Sequence, residues 1–251
     1  LFTLFHAVNT LSTTLGAHAV RELRTKQFLR DSISDISHQL KTPLAALEVY
    51  NALLQEEQDD SAAVQAFAQK SEQEIERIEG LVQNLLKITR LDAGSIIMEK
   101  QAHNIATLMN EIRLRFEMRA EVEEKTLLLS GPEDVEIYCD RTWMMEAVSN
   151  LVKNALDHTE AGAQILITWK KLPAVTQITV KDDGHGIHPE DIHHIFKRFY
   201  RSRFSKDTQG IGLGLPLAKA IAEAHDGSIA VDSALGNGSA FVMSFLNLTK
   251  V

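Results

Sequence analysis

The sequence of 251 residues predicts an α-helical hairpin that forms a dimeric four-helix bundle, followed by an α/β sandwich. Two patterns lead to this fold class. Apolar residues recur at helical spacing through about residue 92, whereas short β-rich runs alternate with helical segments after about residue 103. The modest net charge of −8 argues against a nucleic-acid-binding protein, and the single cysteine, Cys139, excludes an internal disulfide and a cysteine-based zinc site.

The N-terminal part, residues 1 to about 56, is predicted to be helical. Its apolar positions follow helical spacing at Leu4, Val8, Leu11, Leu15, Ile33, Ile36, Leu40, Leu44 and Leu47. Polar side chains interrupt residues 1–20, which therefore fall short of the ~18 apolar residues that span a bilayer. The chain begins without Met inside this pattern, and we interpret it as a fragment whose missing upstream part could contain membrane helices.

A second amphipathic helix is predicted to follow a polar turn at residues 56–61. Ser61 is a suitable N-cap, the helix runs to about Asp92, and Gly94 fits its end. Two such helices form a hairpin with too little core to be stable alone. Its unburied apolar surface therefore predicts pairing with a second copy of the chain.

After a boundary near residues 93–103, the chain is predicted to form an α/β sandwich with helices on one face of a mixed sheet. The predicted helices are 105–116, 142–158 and 216–225. The predicted strands are 126–129, 135–139, 164–170, 176–181, 228–231 and 239–245.

His38 lies opposite the apolar stripe of its helix and should face solvent, with Thr42 one turn later on the same face. Imidazole is mostly neutral at pH 7 and is a nucleophile suited to phosphoryl capture. This segment alone also fits a plain exposed histidine. A metal site built on histidines is disfavoured, because no two share a helix face beside a carboxylate in a recognised ligand spacing.

Four segments of the sandwich together predict a nucleotide site. The carboxamides of Asn150 and Asn154, one helical turn apart, can coordinate Mg²⁺ and phosphate oxygens. The Asp182 carboxylate can accept a hydrogen bond from an adenine amino group. The glycine-rich residues 210–214 precede a helix and offer backbone N–H groups to phosphates. Residues 236–239 fit a hairpin turn, and taken singly the other segments also fit surface residues or turns.

Residues 188–209, between two glycine-rich segments, are predicted to form a basic lid over a triphosphate. Its cations are Lys197, Arg198, Arg201, Arg203 and Lys206. Three aromatic residues, Phe196, Phe199 and Tyr200, would anchor it to the domain.

In this order, the segments resemble the sequence boxes of the sensor histidine kinases of bacterial two-component systems. The matching segments are 37–44 (H box), Asn150 and Asn154 (N box), 182–187 (G1 box), 195–201 (F box) and 210–215 (G2 box). The resemblance implies a dimeric phosphotransfer hairpin over residues 24–95 and a Bergerat-type ATP-binding domain over residues 103–249, with its lid at about 188–209. Residues 1–23 show a weaker likeness to the last helix of a HAMP signalling module.

The resemblance also implies roles for single residues. His38 would be phosphorylated from ATP, with Gln39 and Thr42 beside it in the catalytic segment. Asn154 would bind Mg²⁺, Asp182 would hold the adenine amino group, and the lid arginines would meet the phosphates. The implied ATP-binding residues are Asn150, Asn154, His158, Asp182, Gly184, Gly186, Ile187, Arg198, Tyr200, Arg201, Gly210, Gly212, Leu213, Gly214 and Ser239. The partner would be a response regulator, and this chain would be the cytoplasmic portion of a bacterial plasma-membrane protein.

Two positions depart from the family pattern. Most members carry Glu or Asp directly after the phospho-acceptor, whereas Gln39 can orient the imidazole but cannot act as a base near neutral pH. Asp35 shares the face of His38 and is a candidate base. Some members carry Lys three residues after the Mg²⁺ asparagine, where this chain has Asp157, so one phosphate contact is absent.

Three other functions remain open. A regulator phosphatase with little kinase activity fits the retained Thr42, and a degenerate kinase that acts as a dimeric scaffold fits Gln39. An ATPase of the gyrase, Hsp90 or mismatch-repair type is disfavoured. Those proteins activate water with a Glu four residues before the Mg²⁺ asparagine, where this chain has Asn150.

Overall fold

A computed structural model describes residues 33–34, 36–54, 61–202 and 210–247 of the chain. The chain forms two compact units, Leu1–Glu79 and Gly80–Val251. The predicted heptads before residue 33, the candidate base Asp35 and most of the predicted turn at 56–61 lie outside the described residues. Within the described ranges, no helix combines the length and the apolar character that crossing a bilayer requires.

The first unit contains helix α1, described at residues 33–34 and 36–54, and the N-terminal turns of helix α2, Ser61–Asp92. The ring of Tyr50 in α1 stacks on that of Phe67 in α2, with 6.5 Å between centroids. This contact joins the two helices as the hairpin prediction requires. Several apolar side chains of the unit are between 48 and 63% exposed: Ile33, Leu44, Val49 and Ile75.

The C-terminal turns of α2 belong to the second unit. Lys87 Nζ lies 2.8 Å from Glu146 Oε1, and Asp92 forms an ion pair with Arg198. The units therefore divide inside α2, ahead of residues 93–103, where the sequence changes character. The composition changes where the helix ends, whereas side-chain contacts attach the last turns of the helix to the α/β part.

The second unit is a two-layer α/β sandwich. Its further helices are α3 (Ile105–Val122), α4 (Arg141–Asp157) and α5 (Gly214–Ala224). Its strands are β1 (Gln101–Asn104), β2 (Thr126–Ser130), β3 (Glu136–Cys139), β4 (Gln164–Lys171), β5 (Val175–Asp182), β6 (Gly227–Ser233) and β7 (Ser239–Leu246). The main sheet has the order β2-β4-β5-β7-β6, with β2 and β4 parallel and the other pairs antiparallel.

Strand β1 and the end of α3 differ from the sequence-based expectation. The four residues of β1 show no alternation of apolar and polar side chains, yet they pair with β3 in a separate antiparallel ribbon. Asn104, the last of them, also caps α3 by accepting from the N–H of Thr107 at 2.9 Å. Helix α3 continues past residue 116 to Val122, where an exposed Met118 and Val122 obscure the apolar period.

The core lies between the main sheet and the helices. Alternate residues of the three central strands are buried: Ile165, Ile167, Ile178, Val180, Phe241 and Met243. Facing these strand residues are the buried side chains of α4 and α5, which include Met144, Val148, Leu151, Leu217 and Ile221. Each such side chain contributes roughly 1.5–3 kcal/mol through burial. This packing fixes the ends of β5 and β7 relative to α4 and α5.

His225 ties the end of α5 to the start of α4. Its Nδ1 lies 2.8 Å from the carbonyl oxygen of Ile221, and its Nε2 accepts from the N–H of Asp140 at 3.0 Å. Asp140 is the N-cap of α4, where its carboxylate accepts from the N–H of Trp143. A protonated ring would place an N–H against the N–H of Asp140, so this arrangement requires neutral imidazole.

Burial, the largest effect, lowers the pKa of His225, and Lys100 acts in the same direction. The Ile221 carbonyl and the carboxylates of Asp140 and Asp226 oppose the shift. In the unfolded chain the imidazole has a pKa of about 6.5. As the pH falls through this value, His225 therefore binds more protons in the unfolded state than in the folded state, and its contribution to stability falls.

We predict that the free energy of unfolding of the second unit decreases from about pH 7 to about pH 5.5, with His225 contributing at most ~1.4 kcal/mol per pH unit. The decrease should be smaller in His225→Gln, which does not titrate. Urea unfolding can be followed by tryptophan fluorescence, because both tryptophans, Trp143 and Trp169, lie in this unit. The matched control is His193→Gln at an exposed histidine, and equal pH slopes in all three proteins would contradict the prediction.

Candidate functional site

The carboxylate of Asp182 is buried at the end of β5, where the residue is 4% exposed. Its Oδ1 accepts from the N–H of Gly184 at 3.0 Å and from the N–H of Ser239 at 3.2 Å. Burial raises the pKa of Asp182, and the two backbone donors oppose that shift. Because Oδ1 takes both backbone bonds, Oδ2 can accept from an amino group of a ligand.

The loop after β5 and the loop between β6 and β7 approach each other through their backbones. A Cβ atom on Gly186, where φ is +70°, would lie 2.1 Å from the carbonyl oxygen of Ala234. A Cβ atom on Gly238, where φ is +72°, would lie 2.0 Å from the carbonyl oxygen of Asp182. Only glycine fits at these two positions, so both loops keep one shape around the buried carboxylate.

Asn150 on α4 meets the glycine-rich start of α5. Its Nδ2 donates to the carbonyl oxygen of Glu146 at 2.9 Å, which fixes the orientation of the amide. Its Oδ1 lies close enough to Gly214 that an added Cβ would be 3.0 Å away. Asn154, one turn further along α4, is partly buried. The predicted magnesium and phosphate ligands therefore share one region of the second unit.

The end of α4 contacts the loop after β5 through the main chain of His158. The carbonyl oxygen of His158 lies 3.1 Å from Nδ1 of His185, and a Cβ on Gly184 would lie 2.2 Å from that oxygen. The His185 ring also reaches Glu160, with 3.2 Å between Nε2 and Oε1. The His158 side chain lowers the pKa of Asp182 through its charge, although burial dominates.

Aromatic side chains anchor the described part of the predicted lid, residues 188–202; its residues 203–209 lie outside the description. The ring of Phe196 packs edge-on against buried Phe241, with centroids 6.4 Å apart. The hydroxyl of Tyr200 donates to Oδ1 of buried Asp191 at 2.5 Å. Gly212, with φ +74°, passes so close that a Cβ would lie 2.6 Å from the Tyr200 carbonyl oxygen. These contacts hold residues 196–200 to the sheet and to the glycine-rich residues before α5.

The two lid arginines have different surroundings. Arg198 forms an ion pair with Asp92, so phosphate binding by Arg198 would compete with this carboxylate. Arg201 is exposed. It lines a cavity of 590 Å³ together with Glu190, Asp191, His194 and Tyr200. Neither the two asparagines of α4 nor Asp182 lines this cavity.

Three other residues of the predicted ATP site lie near the start of α5 or in the loop after β5. Gly210 is exposed, whereas Leu213 is buried and its carbonyl accepts from the N–H of Leu217 at the start of α5. Ile187 donates its N–H to Ser233 Oγ at 2.9 Å.

Ser233 is a residue that sequence reasoning missed, because a serine at a strand end gives no signal until the pairing of β6 with β7 is known.

In the first unit, His38 and Thr42 are exposed and Gln39 is partly buried. The hydroxyl of Thr42 lies 3.5 Å from the carbonyl oxygen of His38, as expected for residues one helical turn apart. The predicted acceptor therefore presents its imidazole to solvent.

The side-chain oxygens of Asn150 and Asn154 on α4 suit magnesium. This ion prefers oxygen ligands and usually completes its coordination with substrate phosphates and water. Among the residues that the structure describes, no group of three His, Cys, Asp or Glu is placed to bind a metal. Asp157, which stands where some kinases have Lys, is paired with Arg119 of α3 at 2.6 Å. Its negative charge is therefore neutralised locally.

Two family models match the chain. Residues 28–94 match the His Kinase A (phospho-acceptor) domain, and residues 139–250 match the histidine kinase-, DNA gyrase B-, and HSP90-like ATPase.

Similar full-length proteins are sensor kinases. The chain is 33% identical to the sensor-like histidine kinase SenX3 of Mycobacterium tuberculosis over 217 residues, which is 86% of this chain and 53% of the relative. It is 34% identical to the sensor protein kinase PmrB of Pseudomonas aeruginosa, covering 86% of this chain and 45% of that protein. The chain thus spans about half the length of the curated relatives it matches.

Solved structures share the fold. The histidine kinase AdeS of Acinetobacter baumannii superposes with a TM-score of 0.69 at 21% identity, over 83% of this chain and 97% of that one. The histidine kinase ThkA in complex with the response regulator protein TrrA gives a TM-score of 0.73 at 21% identity, over 87% of this chain and 61% of that one.

We predict that Gly238→Ala weakens ADP binding by about 10-fold or more, because the clash and strain at this position cost on the order of 1–3 kcal/mol. Gly236→Ala is the matched control. Its φ of +77° is equally unsuited to a side chain, but an added Cβ meets nothing within 4 Å. Calorimetric titration with ADP measures both variants, and equal affinities would show that the approach of Gly238 to Asp182 is unimportant.

Proposed function

Because this chain belongs to the sensor histidine kinases of two-component systems, we propose that it transfers the γ-phosphoryl group of ATP to His38 and then to an aspartate of a response regulator. One observation carries the proposal. The Asn150 side-chain oxygen lies against Gly214 at the N-terminus of α5, in the same unit as buried Asp182. Groups suited to a metal–triphosphate and to an adenine amino group thus occur together.

In the proposed complex, Asp182 accepts a hydrogen bond from the adenine amino group. Asn154, with Asn150 nearby, holds Mg²⁺, which when bound neutralises charge on the phosphates. The backbone N–H groups at 210–214 face the phosphates at the start of α5, and Arg201 faces them from the lid. The ion pair with Asp92 supports a weaker phosphate contact for Arg198.

The transfer forms one bond and breaks another. A nitrogen of His38 attacks the γ-phosphorus, the bond from that phosphorus to the β–γ bridging oxygen breaks, and ADP leaves. The imidazole proton is lost in the process. Gln39 can orient the ring through a hydrogen bond but cannot accept this proton near neutral pH. Water or the carboxylate of another residue must therefore take it.

We further propose the arrangement of the whole protein. Residues 24–95 form the dimerisation and phosphotransfer hairpin, and residues 103–249 form the catalytic domain with a lid at about 188–209. The exposed apolar side chains of the first unit, such as Ile33 and Leu44, support a homodimer, because a second copy would bury them. Residues 1–23 would end a HAMP segment that links this cytoplasmic portion to a membrane sensor region.

Reverse activity as a phosphatase of the regulator is a second candidate function. It is supported by Thr42, whose hydroxyl is exposed one turn after His38 and could position a water molecule. A phosphatase-dominant protein or a degenerate kinase scaffold would follow if Gln39 prevents autophosphorylation.

We predict that incubation with γ-labelled ATP and Mg²⁺ labels the protein at His38, with the acid-labile, base-stable behaviour of phosphohistidine. His38→Ala should lose the label while binding ADP normally, because the two functions lie on different units. His103→Ala, at a histidine of the separate β1–β3 ribbon, is the control and should keep the label. Label that persists in His38→Ala would contradict the assignment of the acceptor.

We predict that Gln39→Glu increases the autophosphorylation rate by on the order of 10-fold or more, because a carboxylate can accept the imidazole proton. The rate is measured by the appearance of label under single-turnover conditions. Gln39→Met, which has a similar size but no charge, should not accelerate the reaction. An unchanged rate in Gln39→Glu would mean that proton removal does not limit the transfer.

A further inference from the structure

We propose that Ser233, at the end of β6, is a positioning residue that holds Asp182 and the loop after β5 in their adenine-binding geometry. The inference rests on the proposed function, since it assumes that Asp182 binds the adenine amino group. Ser233 lies outside the sequence boxes on which the nucleotide site was predicted.

Three residues that face each other across neighbouring strands carry the inference. Asp182 of β5 pairs with Ser239 of β7, and Ser239 pairs with Ser233 of β6. Directly opposite residues of an antiparallel sheet point to the same face. The row Asp182–Ser239–Ser233 therefore lies on one face of the sheet, at the end where the two glycine-containing loops meet.

The hydroxyl of Ser233 uses its full hydrogen-bonding capacity. Its Oγ accepts from the N–H of Ile187 at 2.9 Å and donates to the carbonyl oxygen of Gly238 at 2.8 Å. Its third neighbour, the hydroxyl of Ser239, lies 3.0 Å away. Since Ser233 has one proton, the Ser239 hydroxyl must donate in this last bond. A single oxygen thus joins the loop after β5 to both ends of the β6–β7 turn.

These bonds act on Asp182 through the backbone. Ser239, whose N–H donates to Asp182 Oδ1, follows Gly238 directly in the chain. The N–H of Gly236 donates to the His185 carbonyl oxygen at 2.8 Å, which is a second link between the loops. Without the Ser233 hydroxyl, the Ile187 N–H and the Gly238 carbonyl lose a partner. Both loops are then expected to shift, and the Ser239 donor shifts with them.

A purely structural serine would stabilise the turn without affecting recognition of the base. The two roles differ in one measurable quantity, the preference for a purine that carries the 6-amino group. Asp182 can sense that group only while its carboxylate is correctly oriented. A positioning role therefore predicts loss of the preference for ADP over purine riboside diphosphate, which lacks the amino group.

The experiment is calorimetric titration of the whole chain with ADP and with purine riboside diphosphate. The wild type should prefer ADP by roughly 10-fold or more, which corresponds to one well-made hydrogen bond to a charged group. Ser233→Ala should weaken ADP binding by about 10-fold and reduce the preference to about 2-fold or less, close to the value for Asp182→Asn. Ser233→Thr, which keeps the hydroxyl, should restore both quantities.

Ser228→Ala is the matched control, because Ser228 is an exposed serine on the same strand. Folding of each variant is checked by the urea midpoint of tryptophan fluorescence. If Ser233→Ala does not fold, Ser233→Cys preserves the volume with weaker hydrogen bonding, and the same loss of preference is expected.

Each outcome has a definite meaning. A folded Ser233→Ala or Ser233→Cys variant that keeps the wild-type preference for ADP overturns the positioning role and leaves the proposed function intact. A wild-type protein that binds neither nucleotide overturns the proposed function, and the role of Ser233 with it. A preference that is lost in Ser233→Ala and restored in Ser233→Thr supports the inference.

Discussion

The second unit depends on keeping a carboxylate buried at the end of β5. Such a group is costly to remove from water unless backbone donors satisfy it. Asp182 receives those donors from Gly184 in its own loop and from Ser239 on the adjacent strand. The loop after β5 and the loop between β6 and β7 must therefore keep their relative positions. Glycine suits positions 186 and 238 because the two backbones nearly touch there. In the proposed complex, the second carboxylate oxygen accepts a hydrogen bond from the adenine amino group.

Helices α4 and α5 are held together by contacts near both ends of α5. At one end, the Asn150 carboxamide lies against Gly214, where the N–H groups of α5 begin. At the other end, His225 joins the end of α5 to the N-cap residue Asp140 of α4. Helix α5 is therefore held at both of its own ends, against the middle and the N-cap of α4, and the apolar faces of both helices are buried. Under the proposed function, this restraint would position the Asn150 side chain at the start of α5 before a nucleotide binds.

Charge pairing compensates one of the two departures from the family pattern, the one at Asp157. Asp157 places a negative charge one turn beyond the proposed magnesium ligand Asn154, where it would repel phosphates. Arg119 on α3 pairs with this carboxylate and limits the repulsion. The second departure, Gln39, is not a matter of charge repulsion: in the proposed reaction it removes a carboxylate that could accept the imidazole proton of His38.

The sequence by itself determined the order of the main helices and strands and the solvent-facing side of His38, and it predicted the residue types that would meet a nucleotide. These features follow from local periodicity and side-chain chemistry. It did not reveal β1, whose four residues show no alternation, or the attachment of the last turns of α2 to the α/β part. Only the tertiary structure decided that Ser233 contacts the loop after β5 and that Arg198 meets Asp92. Those contacts join residues 46 and 106 positions apart, and strand pairing and packing at such separations leave no local pattern to read.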